Sequence, residues 1–229
     1  MKEKANLLDL PAVEGMLPAI LTITKDTFPD ITEGNIRSKF DGSNRLLLVK
    51  TEKGEPAGYQ VFKHIVLPGE EPVSLLYQSF VAVAPSFNGK RLAESACMVA
   101  IEIEKPDVVS GSTNVPAMYV STVNLRNSLS AGGEAWALYP QDPTPPAAIV
   151  HLGRRIFDAA TKKPVDPNTP YPLNDSLVRT RESHVVRKGV HPFFEQQMKL
   201  APNQQLFYMV ASPELNRKTL QNSANTAKQ

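Results

Sequence analysis

The chain of 229 residues contains one cysteine, Cys97. A single thiol cannot close an internal disulfide, so neither a disulfide framework nor an oxidising compartment is implied. No apolar run approaches the ~18 residues that a membrane helix requires. Charge of one sign is also missing: 25 Lys and Arg stand against 23 Asp and Glu. Without a concentrated basic face, nucleic acid and anionic membrane surfaces are excluded as expected partners. The basic pairs Arg154-Arg155 and Arg179/Arg181 have no interleaved aromatics of the kind a nucleic-acid groove uses. There are only four histidines, and His151, His184 and His191 are too widely spaced for a recognised metal motif, so no metal is expected. No G-x-S-x-G elbow and no Walker loop occurs. The first ten residues carry charges within their apolar run, which argues against a signal peptide and points to a cytoplasmic protein.

Glycine is scarcer than proline, 12 against 20, and the prolines gather late. Four fall in 140–146 and four more in 164–172, stretches that cannot enter a sheet interior. Before them the pattern is regular. Val13, Met16, Leu17, Ile20, Leu21 and Ile23 predict a helix over 13–28, starting or kinking at Pro18 and stopped by Pro29. Ile36 and Phe40 mark a short helix over 33–40. Strands 45–50 and 57–67, joined by a Glu-Lys-Gly-Glu turn, read as a hairpin. Residues 73–84 are apolar on both faces, as in a buried central strand. A loop at 85–89 leads to a helix over 90–104, with Asn88 as its expected N-cap and Leu92, Ala96, Val99, Ala100 and Ile103 as its buried stripe. A buried strand over 117–123 and a short helix over 124–131, ended by Gly132-Gly133, complete this part.

Beyond it, helices are expected at 147–160 and 191–199, a late strand at 206–211, and a polar frayed tail from 214. The expected division is a core over 1–139, a Pro-rich insert over 140–205, a strand over 206–213 that rejoins the core sheet, and the tail over 214–229. The fold class expected is α/β (α+β), a mixed central sheet flanked by helices.

The order of elements, together with Val81-Ala-Val-Ala-Pro-Ser-Phe-Asn-Gly-Lys-Arg-Leu-Ala93 and Val120-Ser-Thr-Val-Asn-Leu-Arg-Asn-Ser128, resembles the GNAT (GCN5-related N-acetyltransferase) superfamily. The first run is similar to that family's strand–loop–helix, V-x-P-x-x-[RQ]-x-x-G-x-[GA]. The second is similar to its strand followed by an Asn that opens a short helix. This chain departs from the pattern. Asn88 stands where the family has Arg or Gln, Arg91 where it has its first Gly, and no Tyr follows Asn124 in the short helix.

The first run has a physical reading of its own. A loop entering a helix leaves backbone N–H groups unpaired, and with the helix dipole they favour an anion. Lys90 and Arg91 are expected in the first turn, where cations oppose the dipole unless an anion lies between them. The other reading is that both side chains point to water.

The resemblance implies an acyl-CoA-dependent N-acyltransferase, using acetyl-CoA or a longer acyl-CoA as co-substrate and a small-molecule or peptide amine as acceptor. It implies pantetheine contacts from the backbone of Phe80, Val81, Ala82 and Val83, pyrophosphate contacts from Asn88, Gly89, Lys90, Arg91, Leu92 and Ala93, and a contact from Asn124. For proton transfer the residues offer Ser128 and Tyr139 as acids and His64 as a base. Ser128 also has a plain structural reading as a solvent-facing serine, and His64 as a hydrogen-bonded strand histidine. The departures support the alternative, a catalytically degenerate binding or regulatory protein. A third reading is an interaction protein whose strands only mimic this order. The insert is too apolar for disorder, with Ile149, Ile156, Phe157 and the Phe193-Phe194 pair. It is expected to cover the acceptor side, to form a homodimer contact, or to build a satellite core.

Overall fold

The computed structural model describes residues 4–8, 15–28, 31–113, 116–141, 146–163, 173–175 and 204–226. Strand β1 is Lys4–Leu8, followed by helices α1 (Leu17–Thr27) and α2 (Glu33–Phe40). Pro18 starts α1 rather than kinking it, since the first turn is where a missing N–H costs nothing. Thr32 caps α2 through a reciprocal bond with Asn35. Then come strands β2 (Arg45–Lys50), β3 (Pro56–Leu67) and β4 (Val73–Val83), helix α3 (Leu92–Glu104), strand β5 (Val108–Thr113) and helix α4 (Pro116–Ser130). Strand β6 (Ala137–Tyr139), helix α5 (Ala147–Thr161), strands β7 (Leu173–Asp175) and β8 (Gln204–Ala211) and helix α6 (Pro213–Thr226) complete the described elements.

The strands form one mixed sheet in the order β1-β2-β3-β4-β5-β8-β6, with β7 also on β8. All described pairings are antiparallel except β4 with β5, which is parallel. The expected mixed sheet flanked by helices is therefore what the structure shows. Both faces are covered, which is why Arg45–Lys50 reads as a continuous apolar run. Leu47 and Val49 pack under α3 and α4 on one face, while Leu46 and Leu48 pack under α1 and α2 on the other. Alternation with period two assigns each residue to its layer.

Three expectations change. The strand expected at 117–123 is part of α4. Its Val, Tyr and Thr content suggested a strand, but Tyr119, Thr122 and Leu125 are buried at intervals of three, the period of a helix. The strand that follows α3 is instead β5, whose Ser110, Gly111 and Ser112 disguised it, although it lies buried between β4 and β8. The tail expected to fray from 214 is α6. Ser212 Oγ accepts from the Leu215 N–H at 3.3 Å, Pro213 and Glu214 open the helix, and Leu215 packs on the core.

Helix α5 belongs to the core. Ile149, Leu152, Ile156, Phe157 and Ala160 form its buried stripe against Leu75 and Tyr77 of β4, Val108 of β5 and Phe207 and Met209 of β8. The 147–160 segment of the insert thus buries its apolar stripe as a layer of the sheet's own core. The helix expected at 191–199 and the Phe193-Phe194 pair lie outside the described residues. Among the described residues, no helix is long and apolar enough to cross a membrane.

Phe157 is 1% exposed and meets the Phe207 ring edge-on at 5.5 Å. Phe157→Ala is expected to cost about 3–5 kcal/mol, the transfer plus cavity cost of a buried aromatic, read as a lower urea midpoint with unchanged slope.

Candidate functional site

Strand β4 changes partners along its length. It pairs with β5 only from Leu75–Val108 to Gln78–Gly111. After Gln78, β4 continues to Val83 beside β3, and β5 continues to Thr113 beside β8, with no rung between them. The cause is local. Val61 faces Phe80 and Phe62 faces Gln78, so Ser79 is an extra residue on β4, a β-bulge that raises the twist and ends the parallel pairing. The consequence appears in burial: Leu75, Leu76 and Tyr77 are buried, whereas Gln78 to Val81 are half-exposed in a mid-sheet strand. Along Phe80–Val83 no rung to β5 is formed, and the Val83 carbonyl accepts from Thr27 Oγ1 of α1 at 3.0 Å.

The branch point is polar. Tyr208 on β8 lies opposite Gly111 and donates its hydroxyl to Gln78 Oε1 at 2.7 Å. The ring crosses β5 where a Cβ on Gly111 would stand 2.5 Å from its hydroxyl oxygen and 2.8 Å from Cζ. Only glycine admits this approach. Burial pushes the Tyr208 hydroxyl well above the usual phenol range, so it stays a proton donor to Gln78 at neutral pH. Cys97 lies behind it, 3% exposed, its thiol pushed up to about 12 by burial, and acts as a small apolar residue.

Beyond β4, a 3-10 turn over Pro85–Phe87 carries the chain to α3. Asn88 closes that turn and does not cap α3. The N-cap is Arg91, in the left-handed region at φ 58, and its side chain makes no capping hydrogen bond. Lys90 and Arg91 therefore precede the first turn expected to contain them. Lys90 lies 4.6 Å over the Phe87 ring. Gly89, at φ 79, gives this loop a second left-handed residue. The position where the resemblance has its first Gly is the one that adopts φ 58. An arginine is strained into the left-handed region there. Its guanidinium is held by both oxygens of Glu94, with Nε to Oε2 at 2.8 Å. Glu94 is 7% exposed and also accepts from Ser128 Oγ at 2.9 Å. Gln60, 1% exposed, donates to the Ala93 carbonyl, and its Oε1 has no partner among the described residues.

The structure separates the three residues considered for proton transfer. Ser128 joins Glu94 near the start of α3. His64 bonds Glu104 at the far end of α3, ten residues and about 15 Å along the helix from Glu94. Tyr139, on β6, packs with the cluster under α5 and donates to Asn216 Oδ1 at 2.9 Å. Burial raises its pKa, which weakens it as an acid. Asn124 is half-buried midway along α4 and does not open a helix. Trp136 packs at the edge of the core under α3 and α4. Gln78, Tyr208, Gly111 and Glu94 were not singled out from the sequence. The one signal was an isolated glycine in a strand, and that strand had itself been missed.

No family model matches the chain, and no curated protein matches it. Solved structures similar to it include a GNAT family N-acetyltransferase, YhbS, from Escherichia coli in complex with CoA. That match has 17% identity, 52% of this chain and 68% of the other covered, and a TM-score of 0.41. A second is described as a putative phosphinothricin N-acetyltransferase, with 10% identity, 92% and 98% covered, and a TM-score of 0.45. A third is AAC(6')-Iy in complex with a bisubstrate analog, with 10% identity, 54% and 88% covered, and a TM-score of 0.41. Among the described residues, no group of three or more His, Cys, Asp or Glu could hold a metal ion.

Two outcomes are expected. Gly111→Ala destabilises the fold by roughly 1–3 kcal/mol through overpacking, and the penalty shrinks in a Tyr208→Ala background, which a double-mutant cycle by urea denaturation measures. Arg91→Gly melts at a higher temperature than Arg91→Ala: both lose the guanidinium, and only glycine relieves φ 58.

Proposed function

We propose that the chain is a divergent GNAT-type N-acyltransferase that takes an acyl-CoA as donor and a small-molecule or peptide amine as acceptor. The observation that carries this is the divergence of β4 and β5 after Gln78, with an uncapped helix beyond it. An acyl-CoA has an extended amide-bearing arm and a pyrophosphate. The edge of Phe80–Val83 that β5 leaves would supply donors and acceptors in line for such an arm, apart from the Val83 carbonyl, which accepts from Thr27 Oγ1 at 3.0 Å. The Lys90 amide is spent on the Phe87 carbonyl at 3.3 Å, and the amides of Arg91, Leu92 and Ala93 at the start of α3 are the ones that would meet the anion, with the Lys90 side chain beside them. Gln60 Oε1, which has no partner among the described residues, is an acceptor near this end of α3. Glu94 does not repel the anion as a bare charge would, because Arg91 and Ser128 hold it.

In the reaction the amine nitrogen attacks the acyl carbon, the C–S bond breaks, and the thiol leaves with the proton that the amine gives up. The β4 edge would orient the thioester, with the bond from buried Tyr208 to half-exposed Gln78 at the branch point beside it. An alkyl thiol is a fair leaving group, so a weak acid suffices. A cytoplasmic setting fits an acyl-CoA donor.

A second reading, a binding or regulatory protein that no longer transfers acyl groups, is favoured by the strained Arg91 N-cap and its bond to Glu94. Calorimetry with acetyl-CoA is expected to give saturable heat at micromolar to millimolar ligand. No heat at millimolar ligand sinks both readings. Heat without thiol release above hydrolysis across a broad amine panel leaves the second.

A further inference from the structure

The end of α3 remote from the branch point carries a second cluster, built from three neighbouring elements. His64 of β3 and Ser74 of β4 are on adjacent strands, with His64 Nε2 3.0 Å from Ser74 Oγ. His64 Nδ1 lies 2.9 Å from Oε2 of Glu104, the last residue of α3. A carboxylate at Nδ1 fixes the tautomer: the proton sits on Nδ1, and the lone pair of Nε2 faces the serine hydroxyl. Glu104 is itself held, Oε1 accepting from Arg45 Nε of β2 at 2.7 Å, and its side chain is 10% exposed. The His64 backbone is clamped on both sides by Asn44, whose Oδ1 accepts from the His64 N–H at 2.7 Å and whose Nδ2 donates to the His64 carbonyl at 3.0 Å. Asp107, ahead of β5, accepts from the Ser74 N–H at 2.8 Å and anchors the serine backbone. A hydroxyl, an imidazole and a carboxylate thus stand in line, each with its own support.

The arrangement is accessible. Ser74 is half-exposed and the His64 side chain is 22% exposed. Val66, the cross-strand partner of Ser74, is 61% exposed, and Ile103, beside Glu104, is 55% exposed. Val66 therefore presents apolar surface across the strand pair from the serine.

We propose that Ser74 is a nucleophile activated by His64 and Glu104, able to accept an acyl group from a small activated ester at a site separate from the β4–β5 branch. The Ser74 oxygen attacks the acyl carbon and its proton passes to His64 Nε2. The ester C–O bond breaks, and the leaving alcohol or phenol takes that proton. A water molecule later attacks the Ser74 ester, gives its proton through Nε2, and releases the acid and the free hydroxyl. The Ser74 amide is committed to Asp107 and does not serve the oxyanion, which slows acylation and deacylation alike and confines the reaction to activated esters.

The test needs no variant to begin. The whole chain is treated with a fluorophosphonate probe and, separately, with p-nitrophenyl acetate, and the adducts are mapped by peptide mass. Ser86, exposed in the loop before α3, is the internal reference. Modification of Ser74 at least tenfold faster than Ser86 is expected, with His64→Gln slowing Ser74 tenfold or more and leaving Ser86 unchanged. Glu104→Gln should slow it in the same sense. Equal modification of the two serines overturns the proposal, as does a Ser74 rate indifferent to His64→Gln in a variant with native circular dichroism.

Discussion

The parallel contact between β4 and β5 lasts for four rungs, and the candidate site depends on its ending there. If Ser79 were in register, β5 could follow β4 two residues further, to Thr113 beside Phe80, and the branch would open later along β4. One extra residue leaves a single sheet that divides beyond Gln78 at the seam between β4 and β5. The seam is not loose. Tyr208 lies across it, and Gly111 exists in the space that ring needs. A substitution that restored regular pairing would make a neater sheet and shift the opening along β4, so the irregularity is better read as a feature than as a defect.

Helix α3 gives this seam its direction. It buries Leu92, Ala96, Cys97, Ala100 and Ile101 on the face that also carries Leu47, Phe62, Leu76 and Val109. Each end has a mostly buried carboxylate held by an arginine: Glu94 by Arg91 near the start, Glu104 by Arg45 at the finish. An acid in the first turn agrees with the helix dipole and one in the last turn opposes it. That opposition explains why Glu104 takes two partners from other strands, Arg45 and His64, whereas Glu94 is served by its own cap and by Ser128.

The sequence made β2, β3, β4, α3, α5 and β8 visible because each carries a long apolar pattern of one period. It hid β5 and α4 by exchanging their usual compositions: Ser and Gly occupy a buried strand, Val, Thr and Tyr a helix. Local propensity is overridden where tertiary contacts supply the stability. Helix α6 was hidden because its polar composition is that of a tail, and only Leu215 among its packing contacts is large and apolar. At the site, the strand–loop–helix of 81–93 was legible from residue types in a row. The bulge at Ser79 and the bond from Tyr208 to Gln78 were not, since they exist only once distant strands are in register. The same holds for His64: its type suggested chemistry, but its neighbours Ser74 and Glu104 come from other elements.

Strand β8 carries β5 along one edge and, along the other, β7 at Gln204–Leu206 and β6 at Met209–Ala211. The rung Asp175–Gln204 holds the two ends of the intervening 28 residues, 176–203, side by side. Whatever those residues build, the sheet is insensitive to their number. Closing 28 residues rather than two across such a rung costs only about 2 kcal/mol in chain entropy. Evolution can therefore lengthen, shorten or exchange this segment while β8 keeps its place beside β5. The fold has a point where new sequence can be added at little thermodynamic penalty, set apart from the seam that β8 helps to hold open.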